Sequence, residues 1–168
     1  PVIVPGTPPE SWELDERARE DCVLLAHALR DLESPAIVSS PEPKARQTAT
    51  VLGLRLGVPV TEDDAFREAS RPPEWLTDYR SAAIAYLASG GDSRWEPHTA
   101  VTVRFAAGVE RARKGNPNVD LVVVSHGLAI SLYLDAFGIV DLIPFWDTLT
   151  LPAAWEITNN SATNLAPL

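Results

Sequence analysis

The sequence predicts a single α/β domain, a three-layer α/β/α sandwich with a mostly parallel central sheet. Three observations predict it. Short β-branched runs alternate with stretches whose apolar residues recur at helical spacing, the pattern of strands joined by crossover helices. One run, Leu121 to Val124, is apolar without a break, as a strand covered on both faces would be. Two of the runs pass straight into helix-opening sequences, at Ser40-Pro41 and at Ser125-His126-Gly127. With 168 residues, 45% of them hydrophobic and 22% charged, the chain is long enough for one ordinary domain and apolar enough to bury a core.

The elements follow in order. Val2 to Val4 is a brief β-branched run before Pro5-Gly6 and Pro8-Pro9, so it reads as a short strand entering a turn-rich loop. Leu14, Ala18, Cys22, Leu25 and Leu29 lie on one helical face, with Asp15 and Glu16 in the first turn, where the helix dipole favours acids. Ala36 to Ser39 reads as a buried strand; the helix after it presents Ala45, Ala49, Leu52 and Leu56 and is stopped by Gly57. Residues 58–95 are less periodic, with a helical stretch from Asp78 to Leu87, and read as an insertion covering one end of the sheet. Glu96 and Pro97 open a long helix with Val101, Phe105, Val109 and Ala112 on its apolar face, stopped by Gly115-Asn116-Pro117. After the Leu121 to Val124 strand, an apolar helix reaches Phe137, and Trp155 to Ile157 with the tail from Thr163 could add an edge strand.

A net charge of -9 sets up a field that repels nucleic-acid and membrane phosphates, so neither is an expected partner. No apolar run is long enough to span a membrane, and cytoplasm is the expected location. The lone Cys22 excludes a disulfide framework and reads as a buried thiol, and the scattered His27 and His98 form no metal spacing. No metal and no cofactor are expected. Asn159-Asn160-Ser161 is formally a glycosylation acceptor, without meaning unless the chain is secreted.

In an open α/β sheet, sites lie beyond the carboxyl ends of the strands. Three segments leave strands at that level: Pro5 to Thr7, Ser39 to Lys44 and Ser125 to Gly127. These segments carry a resemblance. Ser-Ser-Pro-Glu-Pro-Lys-Ala-Arg-Gln-Thr-Ala at 39–49 and Val-Val-Val-Ser-His-Gly at 122–127 resemble two blocks of the histidine phosphatase superfamily, of the phosphoglycerate mutase type. Phe66-Arg67-Glu68 resembles its acidic motif, Glu96 with Arg104 its helix signature, and Leu151 to Ala154 its late loop. The blocks occur in the family's order over nearly the whole chain.

The resemblance implies a phosphoglycerate mutase-like fold and a phosphoryl pocket. In that family the first strand ends in Arg-His-Gly, the histidine attacks phosphorus, arginines and a second histidine hold the phosphoryl oxygens, and an acid serves as proton donor and acceptor. Here Val4 stands for the arginine, Pro5 for the nucleophile and Gly6 for the glycine; Lys44 replaces the second arginine, while Glu68 and His126 match. Proline offers no side-chain nucleophile and valine no charge, so phosphohistidine formation is not expected. Gly6, Thr7, Lys44, His126 and Gly127 are the expected ligand-binding positions, for a phosphorylated or other anionic small molecule. His126 and Glu68 would be acid and base if another nucleophile or an activated water works in the same cleft; Thr7, Ser39 and Ser40 are the hydroxyls near it. Each has a plainer reading: His126 as a hydrogen-bonded relic, Glu68 as a salt bridge to Arg67 or Arg71, and Lys44 as a solvated helix lysine. A protein-interaction module with a vestigial pocket is the third possibility, and five tryptophans leave room for a protein partner or a second copy.

Overall fold

The computed structural model describes residues 1, 2, 4, 7–72, 78–90, 94–158 and 161–165. Pro5 and Gly6 lie outside the described residues, as do Asn159 and Asn160 of the glycosylation pattern.

The central sheet is parallel, in the order β2-β1-β3, with β1 Ala36–Ser39, β2 Val60–Glu62 and β3 Leu121–Val124. Ile37 lies opposite Val60 and Val122, and Val38 opposite Thr61 and Val123. Because successive strand side chains point to opposite faces, this register divides the core in two. Ile37, with Val122 and Val124 beside it, packs under α1 (Glu16–Ala28) and α2 (Pro43–Leu56), against Leu25, Leu29, Ala49 and Leu52. Val38, with Leu121 and Val123, faces α3 (Tyr79–Ser89), α4 (His98–Gly115) and α5 (Gly127–Ala136), and meets Phe66, Phe105, Leu128 and Leu132. The result is the α/β fold with helices on both faces that the sequence predicts.

Local chemistry sets the helix ends. Asp15 caps α1 by accepting from the Ala18 amide at 2.7 Å. Gly57 ends α2 in the left-handed region at φ 70°, a conformation open to a residue without Cβ. Cys22 is fully buried in α1, next to the Thr48 hydroxyl.

Several expectations are corrected. Val2 and Val4 are exposed and outside the described sheet, Ile3 between them lies outside the described residues, and Thr7 N and Oγ1 donate to Val4 O. β3 is only half-buried, because it ends the sheet and has a strand neighbour on one side among the described residues. α2 begins at Pro43, two residues beyond the Ser40-Pro41 signal, with Glu42 as its N-cap. The stretch read as an insertion opens with β2, a strand of the central sheet. The expected edge strand is instead an antiparallel hairpin of β4 (Trp155–Thr158) and β5 (Ser161–Asn164), mostly exposed and with little apolar surface to join the main sheet. A further helix, α6 (Leu142–Asp147), follows α5. Among the described tryptophans, Trp95 stacks on Tyr86, Trp146 meets Tyr79 and Trp155 meets Phe145, so three of the rings are engaged within the chain.

Candidate functional site

The carboxyl ends of β1 and β3 deliver the polar residues expected there, and a residue the sequence reading passed over joins them. Ser40 leaves β1 with its amide bonded to Val124 O at 2.9 Å, which holds the two strand ends together. Its hydroxyl lies 2.8 Å from His126 Nε2 and accepts the Glu42 amide at 3.2 Å. Ser40 has no exposed surface, and His126 and Glu42 are each 4% exposed.

Glu42 is the centre of the arrangement. Its Oε2 accepts from Lys44 Nζ at 2.8 Å and lies 3.6 Å from His126 Nε2, while its Oε1 accepts from the Glu68 amide at 2.9 Å. Burial works to raise its pKa, but the neighbouring His126 and Lys44, the Lys44 hydrogen bond and the Glu68 amide together hold the carboxyl below the ordinary value. Glu42 is therefore a buried anion at neutral pH. The available sequence signal was a carboxylate two residues before a lysine, at the level where the strands end.

His126 takes the opposite course. Burial, assisted by the positive charges of Lys44, Arg104 and Arg67 and opposed by Glu42, lowers it from 6.5 to about 3. The imidazole is neutral at pH 7. It precedes α5 as the N-cap residue, but its side chain makes no cap hydrogen bond.

Glu68 supplies that cap from sixty residues away. Its Oε1 accepts from the amides of Ala69 and Ala129 at 2.9 Å each, and its Oε2 from Leu128 at 3.3 Å. A carboxylate thus sits at the positive end of α5. Burial raises its pKa, against the pull of those amides and of Lys44. The expected salt bridge to Arg67 or Arg71 is not formed: Arg67 pairs with Asp64 at 2.7 Å, and the Arg71 guanidinium lies over Tyr79, 4.7 Å from the ring centre.

Lys44 is paired and only partly exposed. Besides Glu42 it donates to Pro9 O at 3.0 Å, and so ties the N-terminal segment to α2. The Thr7 hydroxyl donates to Val4 O and accepts from Trp12 Nε1, within the N-terminal segment. Ser39 turns its hydroxyl onto Ser40 O. A Cβ at Gly127 would lie 3.5 Å from Trp146 Nε1 and 3.6 Å from Leu149 Cδ1, so an aromatic and an aliphatic side chain roof that turn.

Arg104 supports all of this from behind. It holds Glu96 through two parallel bonds, and donates to the carbonyls of Ala65, Arg67 and Glu68. Its five contacts shape the loop that carries Glu68. Lys44, Glu68 and His126 are thus brought together, through Glu42. Among the described residues no group of His, Cys, Asp and Glu could hold a metal, and no helix is long and apolar enough to cross a membrane.

The sequence profile of the histidine phosphatase superfamily, branch 1, matches residues 8–161. The span begins after Val4, Pro5 and Gly6. Glucosyl-3-phosphoglycerate phosphatase of Mycolicibacterium vanbaalenii is 36% identical over 91 residues, which are 51% of this chain and 40% of that protein. The match therefore spans less than half of the relative. Among solved structures, mycobacterial glucosyl-3-phosphoglycerate phosphatase complexed with VO3 is similar with a TM-score of 0.67 at 26% identity, covering 80% of this chain and 74% of the other. The same phosphatase is also known in complex with inorganic phosphate. Bacillus stearothermophilus YhfR is similar in fold, with a TM-score of 0.70 at 18% identity over 94% of this chain and 85% of its own.

Proposed function

This chain belongs to the histidine phosphatase superfamily, branch 1, and from that premise we propose that it is a member that carries out no phosphohistidine chemistry. The observation that carries this reading is the state of His126. A histidine that holds a phosphoryl group must present a charge or an N–H to it; His126 is buried, neutral at pH 7 and engaged with Ser40. Lys44 is likewise committed to Glu42 and Pro9 O. The sequence adds Val4 and Pro5 where the family carries arginine and the nucleophile. A proline cannot form the covalent intermediate, and a lysine replaces the bidentate fork of an arginine with a point charge.

The test is turnover on a panel of phosphomonoesters. Glucosyl-3-phosphoglycerate belongs first in that panel, because the matched relatives carry its name. The expected result is no release of phosphate above the buffer rate. Robust turnover abolished by His126→Ala would sink the reading.

One observation favours a second reading, a phosphomonoester hydrolase with Ser40 as nucleophile. Ser40 Oγ and His126 Nε2 stand 2.8 Å apart, the reach of a nucleophile and its base. Attack would form an Oγ–P bond and pass the hydroxyl proton to Nε2. The departing alkoxide would take its proton from Glu68, whose carboxyl burial holds toward the protonated form. Water would then hydrolyse the phosphoserine. Acid quench with labelled substrate is expected to trap no label; label on Ser40, absent from Ser40→Ala, would establish this second reading instead.

A further inference from the structure

We propose that the buried Glu42 carboxylate is the internal occupant of an oxyanion site, and that removing it opens a site for inorganic phosphate or the phosphoryl group of a phosphomonoester. This rests on the reading that the unaltered pocket is non-catalytic, and it names what closes that pocket.

The geometry is that of a bound oxyanion. The two Glu42 oxygens are approached by an ammonium, Lys44 Nζ at 2.8 Å, by a backbone amide, Glu68 N at 2.9 Å, and by an imidazole, His126 Nε2 at 3.6 Å. Lys44 and the Glu68 amide are donor types that recognise phosphate, a point cation and an aimed N–H, and His126 lines the same place as a neutral ring engaged with Ser40. They come from three separate parts of the chain, so their convergence does not follow from the local conformation of α2. The carboxylate they surround is 4% exposed, whereas a carboxylate placed only to balance a lysine would ordinarily sit in water. Glu42 also leaves its own helix uncapped, since it makes no side-chain cap hydrogen bond. Its side chain turns inward to the donors instead.

The occupant cannot be joined by a ligand. A dianion entering beside Glu42 would meet its negative charge at close range in a poorly solvated place, and the single ammonium already has its counter-ion. With Glu42 shortened, Lys44 Nζ and the Glu68 amide lose their acceptor together. The part-buried ammonium keeps Pro9 O but loses its counter-charge, and the Glu68 amide loses its acceptor, so both favour a small oxyanion that reaches them.

The experiment measures inorganic phosphate binding by calorimetry, and the thermal midpoint with phosphate against chloride of equal ionic strength. The unaltered chain is expected to show neither heat nor a phosphate-specific rise in midpoint. Glu42→Ala is expected to bind phosphate about tenfold to a hundredfold tighter than the unaltered chain, the equivalent of one or two charge-assisted hydrogen bonds, and to gain a phosphate-specific rise in midpoint. Adding Lys44→Ala should remove that gain. Glu42→Ser serves as the second variant, small enough to vacate the site and polar enough to answer one donor.

Phosphate binding by Glu42→Ala no tighter than by the unaltered chain, or a gain that survives Lys44→Ala, would overturn the proposal. Failure of both Glu42 variants to fold even in phosphate would overturn it too, because the carboxylate would then be a requirement of the fold and not an exchangeable occupant. Turnover by the unaltered chain is a separate outcome, which sinks the non-catalytic reading and leaves the binding result to be read independently.

Discussion

Arg104, in the second turn of α4, and Glu96, just before that helix, face each other through two parallel hydrogen bonds, Nε to Oε1 at 2.8 Å and Nη2 to Oε2 at 2.9 Å. The pair is the anchor of the Glu68 loop, because Arg104 also reaches the carbonyls of Ala65, Arg67 and Glu68, and Glu96 accepts from the Ser70 amide at 3.0 Å. Arg104→Ala is expected to destabilise the chain by about 2–3 kcal/mol, less than a fully buried pair because both side chains keep some contact with water. Arg104→Lys should recover only part of that, since an ammonium cannot reproduce the planar fork. Urea unfolding of the three proteins measures both differences; a lysine variant as stable as the parent would refute the argument from geometry.

Glu68 acts as the cap of α5, which separates its two obvious substitutions. Glu68→Ala removes the acceptor from the Ala69, Leu128 and Ala129 amides and should cost roughly 1–2 kcal/mol, the range of a lost helix cap. Glu68→Gln keeps an acceptor and removes a charge that burial already disfavours, so its thermal midpoint should stay near that of the parent. Equal losses in the two variants would show that the charge, not the cap, is what matters.

His126 makes the stability of the chain sensitive to acid. Lowered from 6.5 to about 3 in the native state, it takes up its proton more readily unfolded than folded. Its contribution is therefore fully present above pH 6.5 and declines as the pH falls from 6.5 toward 3, by an amount on the order of a few kcal/mol. Glu68, raised by burial, runs the other way and gains on acidification. The lowered Glu42 adds to the loss only below the ordinary carboxylate range, 4.5. Urea midpoints measured across that interval should fall in the parent and fall less in His126→Asn; parallel curves would refute the assignment.

Two glycines of α4 should respond in opposite directions to the same substitution. A Cβ on Gly108 would come within 2.8 Å of Ala65 Cβ and 2.9 Å of Phe66 Cζ, so Gly108→Ala should destabilise by about 1–3 kcal/mol. Gly115, the last residue of the helix, has nothing within 4 Å of that position. Gly115→Ala should stabilise by roughly 0.5–1 kcal/mol, through the lower entropy of the unfolded chain. Thermal melts of the two variants settle the pair.

Much of the framework was legible because it rests on local chemistry. Asp15 before an apolar stripe, Gly57 after one, and the unbroken Leu121 to Val124 run each act over a few residues, and each element formed where its signal lies. Val2 and Val4 stand outside the described sheet, because a strand also needs a neighbour, which composition cannot supply. The site was half legible for the same reason. Lys44, Glu68 and His126 could be marked by their place in motifs, but not their partners, which lie up to 86 residues away, as Ser40 does from His126. Glu42 was missed outright: on the sequence it is one acid among many, and only the folded chain gives its carboxylate the Lys44 ammonium and the Glu68 amide as donors.

The bond from Lys44 to Pro9 O makes one ammonium answer to two masters. It belongs at once to the polar centre and to a strap, residues 7–14, whose far end is fastened where the Leu14 amide meets Gln47 Oε1 at 2.8 Å, one turn along α2. Whatever recruits that ammonium elsewhere unbuckles the strap at its near end. The state of the interior is thereby displayed on the outside of the molecule, as the ease with which a protease nicks the chain around Pro9. In Lys44→Ala that cut should be fast, and in the parent slow.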